Sequence, residues 1–376
     1  MANRGATSHK CTGQVLHRLT EASGDLTITA QAHYLHGSEP EQRIAGTGAK
    51  RVTEPHPWNL SLGRHPNPDE VTFDLEQVLS SVVSLRSSVA DDAFTAPILG
   101  TEREGQGVVI SEDGLVLTIG YLVTEAEDVW LVGNNGVARA AHVVGYDQET
   151  GFGLVQSLGA LDLPHLEFSD SDPITAGDSL IVAGQGGREA AINTKVISVR
   201  EFAGSWEYVL DSAIFTVPAH PRWSGAAVID WSGRLAGIGS LYIQQAAGDD
   251  DEIDGNMIVP INLIKPILSD LVERGARKQP PRPWLGMTTA EAEEHLVVAG
   301  IAEGGPAMRA GVEPGDMVLG IDGERITGLS KLFRTIWSLG DAGVSVPLML
   351  HRDSQVISVT VESAARGDFL KKPRFN

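Results

Sequence analysis

Between about residues 100 and 265 the chain is a series of short apolar runs separated by glycine-rich turns. Four of these runs are "GQGVVI", "DGLVLTI", "DSLIVAGQ" and "GRLAGIGSLYI". Turn signals recur at roughly 8–12-residue spacing, which is typical of an all-β sandwich or a pair of barrels. The pattern therefore predicts a mainly β domain in this part of the chain.

Helical periodicity brackets the β region. Before it, "VTFDLEQVLSSVVSLRSSV" has apolar residues at helical spacing and predicts a short helix that runs into a strand. After it, "PINLIKPILSDLVERG" predicts a closing helix that stops at Gly275. The remaining pattern, after a Pro-rich basic stretch, alternates strands with short helices and indicates a compact α+β module.

These patterns divide the chain into five predicted segments. The N-terminal segment is rich in Gly, Ser, Thr, Pro, His and charged residues and lacks sustained periodicity, so we expect it to be mobile. We expect the short C-terminal segment to be exposed. The segments are a mobile N-terminal tail at 1–70, a double-barrel domain at 71–275, a Pro-rich linker at 276–283, a small α+β domain at 284–365 and a basic tail at 366–376.

Charge and composition exclude several functions. The chain carries 29 Lys and Arg against 49 Asp and Glu, a net charge of −20, which argues against nonspecific binding of nucleic acid or of an anionic membrane. Basic peptides or proteins remain compatible partners. The one cysteine cannot form an internal disulfide, and no clustered His or Cys spacing is present, so we predict no metal and no cofactor.

The N-terminus contains no apolar run that could form the core of a signal peptide. No window approaches the ~20 apolar residues of a membrane span. From the sequence as written we therefore expect a cytoplasmic protein, with a periplasmic location as the alternative if the true N-terminus differs.

Two motifs resemble one known family. The run "GPAMRAGVEPGDMVLGIDGERI" resembles the "GPAxxAGLxxGDxIxxIDG" of PDZ domains attached to bacterial HtrA/Do-like serine proteases. The run "GQGVVISEDGLVLT" is similar to "GSGVIIxxDGxIxT" in the trypsin-like domain of the same family. Further segments follow in the family's order over about Gly100 to Val361. The resemblance implies a mainly β protein, a trypsin-like double β-barrel followed by a smaller α+β PDZ-like domain.

The resemblance also assigns the catalytic positions. It places Tyr121 where the family has its general-base histidine, Gly151 at the orienting aspartate, Ser224 at the nucleophile and Arg222 at the glycine of the oxyanion hole. A phenol with a pKa near ~10 is a poor proton acceptor at neutral pH. A serine depends on its base for activation. We therefore predict that Ser224 is inactive as a nucleophile.

An active site built with other residues is the alternative. His220 lies four residues before Ser224, and Glu149 lies two before Gly151, so either is a candidate replacement. The acidic stretch "GDDDEIDG" at 248–255 lacks the calcium-loop spacing and predicts a solvated hairpin tip, or a selector of basic partners.

In the PDZ-like module the resemblance assigns Trp284, Leu285, Gly286 and Met287 to the carboxylate-binding loop and its edge strand. Such a loop binds peptide C-termini through backbone N–H groups. The alternative is that Trp284 and Leu285 only pack an interdomain face. Family likeness further implies a homotrimer and a role in protein quality control.

The leading hypothesis is a non-catalytic HtrA-like pseudoprotease that binds peptide termini and unfolded proteins as a regulator or chaperone-like scaffold. The alternative is an active serine-type endopeptidase that uses Ser224 with a non-standard base.

Overall fold

The computed structural model describes residues 65–244, 246, 253–292 and 295–371. These residues form two closed antiparallel β-barrels followed by a smaller domain with one sheet and helices. The predicted fold class, a mainly β double barrel and a smaller α+β domain, is confirmed. The N-terminal stretch before residue 65 and most of the acidic stretch at 248–255 lie outside the described residues. Among the helices that are described, none is long and apolar enough to cross a membrane.

The first barrel closes in the order β1-β2-β3-β6-β5-β4. A helix precedes it, capped by the Asp74 carboxylate, which accepts the Gln77 N–H at 3.0 Å. The predicted helix running into a strand is therefore confirmed. The elements are α1 (Leu75–Ser80), β1 (Val82–Val89), α2 (Ala96–Leu99), β2 (Glu102–Val109), β3 (Leu115–Ile119), β4 (Ala126–Val132), β5 (Ala138–Tyr146) and β6 (Phe152–Ser157).

The second barrel closes in the order β10-β11-β12-β9-β8-β7. Its closing helix is shorter than the apolar periodicity predicted, because it begins only after Pro266; it ends at Gly275, whose φ of 72° is the left-handed conformation that terminates helices. The elements are β7 (Ser179–Ala183), β8 (Ala191–Gly204), β9 (Tyr208–Val217), β10 (Ala227–Ile229), β11 (Leu235–Ile243), β12 (Gly255–Pro260) and α3 (Leu268–Arg274).

The smaller domain is a sheet in the order β13-β14-β15-β17-β18, with β16 paired to β15. Strand β13 stands at one end of that order, so one of its edges faces away from the sheet. The elements are β13 (Met287–Ala292), β14 (His295–Ile301), α4 (Pro306–Arg309), β15 (Met317–Ile321), β16 (Glu324–Arg325), α5 (Leu329–Ser338), β17 (Ser345–Arg352) and β18 (Gln355–Glu362).

The chain after β18 returns to the first barrel instead of forming an exposed tail. The Phe369 ring packs on Trp284, with ring centroids 4.9 Å apart, and the Lys371 N–H donates to the Glu125 carboxylate at 2.7 Å. The expectation of exposure holds for Gly367 and Asp368 but is wrong for residues 366 and 369–371, which are half-buried, because an aromatic ring and a backbone donor find partners on the other domains.

Candidate functional site

Tyr121 lies in a single 3-10 turn, Gly120–Leu122, at the end of β3. Its half-buried hydroxyl reaches the second barrel, where it is 2.8 Å from Ser224 Oγ and 2.8 Å from the Ser240 carbonyl oxygen. The structure thus brings Tyr121, which the resemblance places at the family's histidine position, into direct contact with Ser224.

The proton positions at this contact follow from the chemistry of the three oxygens. The Ser240 carbonyl can only accept, so the Tyr121 hydroxyl donates its one hydrogen there. Tyr121 Oη then receives the Ser224 hydroxyl hydrogen as an acceptor. A neutral phenol accepts a hydrogen bond but does not take up a proton at neutral pH, because its own pKa is near ~10.

Ser224 is held firmly by the backbone around it. Its carbonyl accepts the Gln106 N–H at 2.8 Å. The next residue, Gly225, has a φ of 75°, and a Cβ there would lie 2.1 Å from the Gln106 carbonyl oxygen. Only glycine fits this approach, so the turn fixes Ser224 at the junction of the two barrels.

The backbone at Arg222 is committed elsewhere. Its N–H donates to His220 Nδ1 at 3.1 Å, and its guanidinium donates to the Gln185 carbonyl at 2.7 Å. An oxyanion hole needs an N–H aimed at the developing oxygen. The N–H at this position is instead used by a neighbouring ring.

His220 is buried and structural in its contacts. Nδ1 accepts from Arg222, so Nε2 carries the hydrogen and donates to the Ala190 carbonyl at 2.9 Å. Burial lowers the pKa of His220 to about 4, so the ring is neutral at pH 7. Both ring nitrogens are occupied, which leaves neither to accept a proton from Ser224. Two further histidines, His142 and His165, are exposed.

Gly151 puts no side chain beside Tyr121. Its φ is 82°, and a Cβ would lie 3.1 Å from the Tyr208 hydroxyl, which itself donates to the Thr150 carbonyl at 2.7 Å. A side chain at this position would crowd the Tyr208 hydroxyl, and glycine adopts the left-handed φ at no steric cost.

The two nearby carboxylates face the interdomain linker and not the serine. Asp147 pairs with the Arg277 guanidinium at 2.5 and 2.8 Å. Glu149 pairs with Arg277 at 3.3 Å and with Arg282 at 2.8 Å. Glu149, the candidate substitute for the missing aspartate, is therefore engaged in ion pairs with the linker.

The PDZ-like loop has three backbone donors that converge on one carboxylate. The N–H groups of Leu285, Gly286 and Met287 lie 3.2, 2.9 and 3.4 Å from Glu207 Oε1. Glu207 comes from the connection between β8 and β9 in the second barrel. The loop thus has the geometry of a carboxylate site, and a side chain of the same molecule fills it.

Trp284 points the other way. Its ring packs between Phe94 of the first barrel and Phe369, with centroids 5.8 and 4.9 Å away. Leu285 is fully buried in the core of the smaller domain. Of the four predicted loop residues, three contribute donors to the site and Trp284 packs between domains.

Sequence reasoning did not single out Glu207, and it left open where the ring of His220 would point. Glu207 lies 78 residues before Leu285 and belongs to a short turn, so no local pattern marks it. The adjacency of His220 and Arg222 was visible, but the bond between ring and backbone was not. In the ranges that the structure describes, no group of three or more His, Cys, Asp or Glu side chains could hold a metal ion.

Comparison with known proteins agrees with this architecture. A trypsin-like peptidase domain model matches residues 105–238, and a PDZ domain model matches residues 283–362. The fold and the site therefore define a trypsin-fold protein with a C-terminal PDZ domain.

Two curated relatives indicate which trypsin-fold proteins with a PDZ domain this chain is similar to. A probable periplasmic serine endoprotease DegP-like of Chlamydia trachomatis is 26% identical over 273 residues, covering 68% of this chain and 53% of the relative. A protein of the same name from Hahella chejuensis is 24% identical over 274 residues, which cover 69% of this chain and 57% of the relative. The chain spans about half the length of these relatives. The two domains and these relatives together support the HtrA family for this chain.

Solved structures of similar fold include a serine endoprotease from Yersinia pestis. It is 22% identical, covers 78% of this chain and 99% of that chain, and gives a TM-score of 0.47. The HtrA-type protease AlgW with a tripeptide is 21% identical, and the match covers 80% of this chain and 97% of that chain with a TM-score of 0.47.

Proposed function

We propose that this protein is a proteolytically inactive HtrA-like protein. Its PDZ domain binds peptide or protein C-termini, including those of basic or unfolded proteins, and the molecule acts as a regulator or chaperone-like scaffold in protein quality control. The observation that carries the proposal is the hydrogen bond between the Tyr121 and Ser224 hydroxyls, which lies where catalysis needs a histidine ring.

Magnitudes support inactivity. Loss of the base alone costs on the order of 10⁶ in turnover in comparable triads, and loss of one oxyanion donor costs about 10²–10³, although the two losses do not add. Tyr121 removes the first function, and the committed N–H of Arg222 removes the second. The loss of the base alone leaves little of the family's rate enhancement, and the loss of the oxyanion donor lowers the rate further.

The competing function is that of the relatives, which are named serine endoproteases. It requires a base that reaches Ser224. The side chain hydrogen-bonded to Ser224 Oγ is Tyr121, and the nearby His220 and Glu149 are engaged with Arg222 and with the linker. We therefore favour the inactive form.

Cleavage of casein tests the proposal. Purified protein and its Ser224→Ala variant are incubated with unfolded casein over hours at neutral pH, beside an active protease of the family as positive control. We expect the two proteins to show the same background. Cleavage by the wild type that disappears in Ser224→Ala would establish the endopeptidase and contradict the proposal.

Peptide binding is tested separately. A pool of fluorescent ten-residue peptides is offered with free and with amidated C-termini. We expect amidation to abolish binding, because the loop recognises a terminal carboxylate. Equal binding of both pools would reject the PDZ assignment as a functional one.

Compartment and assembly belong to the same proposal. The relatives are named as periplasmic proteins, which favours the periplasmic alternative over the cytoplasmic expectation. We also propose a homotrimer, by likeness to the family. Fractionation of cells that produce the tagged protein checks the first point, and light scattering on the purified chain checks the second.

A further inference from the structure

The connection between β8 and β9, residues 205–207, reaches the smaller domain. Glu207 is 7% exposed there, and its Oε1 is the common acceptor for the N–H groups of Leu285, Gly286 and Met287. A carboxylate that receives several backbone N–H groups from a glycine-containing loop is how a PDZ domain holds a peptide terminus. Here the carboxylate is a side chain of the barrel.

The same turn also contacts the edge strand. The Thr289 N–H of β13 donates to the Ser205 carbonyl at 3.1 Å. This bond lies on the edge of β13 that is not paired with β14, which is the edge where a bound peptide adds as a strand. The turn therefore supplies both parts of a peptide ligand, the carboxylate and the backbone acceptor.

Packing around the turn extends the likeness. Val209, the second residue of β9, is buried in the hydrophobic core of the smaller domain with Leu285 and Phe333. On α5, Arg334 pairs with Glu201 of β8 at 2.8 Å and with Asp211 of β9. The hairpin thus lies between the loop, β13 and α5, where a peptide would lie.

The backbone conformation of the turn gives no reason for a glutamate at position 207. Glu207 has a φ of 62°, a left-handed conformation in which glycine or asparagine is favoured over a long side chain. A turn of this shape forms more readily without Glu207 than with it. The contact that the residue makes is the one with the loop.

We propose that the β8–β9 hairpin is an internal ligand of the PDZ domain, with the Glu207 side chain in the place of a peptide's terminal carboxylate, so that external C-termini compete with it. This inference rests on the proposed peptide-binding function. When the binding-competent state is only partly populated, the apparent dissociation constant rises by the inverse of that fraction. The wild-type protein therefore binds peptide termini more weakly than its open form does.

Burial makes this internal ligand sensitive to pH. Desolvation raises the pKa of Glu207 to about 7, although hydrogen bonds from the loop and the charge of Arg366 lower it. Arg282 and Glu149 line the same small cavity. An undocked Glu207 has an ordinary pKa near 4.5, so docking takes up a proton and weakens as pH rises from about 4.5 to 7. Peptide termini stay ionised over most of that range.

The test compares peptide binding by the full chain and by Glu207→Ala, which removes the carboxyl group. The probe is the free-terminus peptide pool, followed by fluorescence anisotropy at pH 5.5 and pH 8. Glu207→Gly is a second variant that also relieves the left-handed φ. Glu201→Gln, a matched change on the same hairpin that faces α5 and not the loop, is the control.

We expect Glu207→Ala and Glu207→Gly to bind the pool at least about tenfold more tightly than the wild type, with Glu201→Gln within about twofold of it. Wild-type binding should strengthen from pH 5.5 to pH 8, and the two Glu207 variants should lose that dependence. Hydrogen exchange should show faster exchange at the amides of residues 285–289 in both Glu207 variants.

The outcomes separate the two proposals. If the wild type binds the pool as tightly as Glu207→Ala and Glu207→Gly, peptide binding stands and the internal ligand is rejected. If none of the proteins binds the pool while exchange at the loop rises in the variants, the peptide-binding function fails and the internal-ligand proposal fails with it. Unchanged exchange at the loop in both variants rejects the docking of Glu207 itself.

Discussion

At the scale of single residues, the position of each hydrogen decides the chemistry. Tyr121 has one hydroxyl hydrogen and two oxygens within 2.8 Å, and because the Ser240 carbonyl can only accept, Ser224 must be the donor in the other bond. Ser224 is thereby given a partner that cannot remove its proton. His220, the nearest histidine in sequence, is turned toward the backbone of Arg222.

The burial of the His220 ring makes the free energy of unfolding depend on pH under acidic conditions. Its folded pKa of about 4 lies below the ordinary value of 6.5, so the unfolded chain takes up a proton first as pH falls. Stability from this group is complete above about pH 6.5 and is lost toward pH 4, by about 3 kcal/mol in total. Urea unfolding at pH 7 and pH 4.5 measures this loss.

The comparison is with His220→Asn, whose amide does not titrate. We expect the variant to be less stable at pH 7 but to lose markedly less stability than the wild type between the two pH values. Parallel losses in both proteins would show that the ring does not carry this dependence.

The sequence allowed the fold to be predicted, because apolar alternation and turn residues act locally and the family's motifs follow in order over most of the chain. It could not give the contacts that define the site. Arg222 donates to His220 only because a turn brings N–H and ring together, and Glu207 meets Gly286 only because a hairpin of the barrel reaches another domain. Such contacts depend on tertiary packing and leave no periodic signal.

At the scale of elements, the loop between β5 and β6 forms ion pairs with the interdomain linker. Asp147 and Glu149 lie in the segment that in the family orients the histidine, yet both bind Arg277, and Glu149 also binds Arg282. Arg282 in turn stacks its guanidinium over the Trp337 ring of α5 at 4.1 Å. The linker is therefore attached to the first barrel and to the smaller domain.

Replacing Arg277 tests this attachment. In Arg277→Ala the buried Asp147 loses its charged partner and retains only its bonds from Thr150, so we expect a loss of about 2 kcal/mol of stability and faster protease cleavage within 276–283. The control is Lys278→Ala, because the bond of residue 278 to Asp270 uses the backbone N–H. Equal cleavage rates in both variants would contradict the attachment.

At the scale of the whole molecule, three groups of contacts among the described residues stand out between the PDZ domain and the barrels. They are the hairpin at Glu207, the linker arginines and the aromatic cluster of Phe94, Trp284 and Phe369. The cluster couples the chain after β18 to the loop that carries the carboxylate donors. Loosening any of these contacts should expose the peptide site.

Phe369→Ala tests the aromatic contact at a distance from the loop. Removing the ring should weaken domain docking by about 2 kcal/mol, so that exchange at the amides of residues 285–287 speeds up and the radius of gyration in solution scattering increases. Trp231→Ala, which removes a partly exposed ring from a turn of the second barrel, serves as the control. No difference between the two variants would show that the cluster does not hold the domain.

Covalent labelling with a fluorophosphonate tests whether Ser224 is an activated nucleophile, and it needs no knowledge of the substrate. The wild type, Ser224→Ala and Tyr121→His are each incubated with the probe at pH 8, beside an active protease of the family. We expect no labelling of the wild type above the Ser224→Ala background, and none of Tyr121→His, because Gly151 offers no carboxylate to orient a histidine. Labelling of the wild type that is abolished by Ser224→Ala would contradict the account.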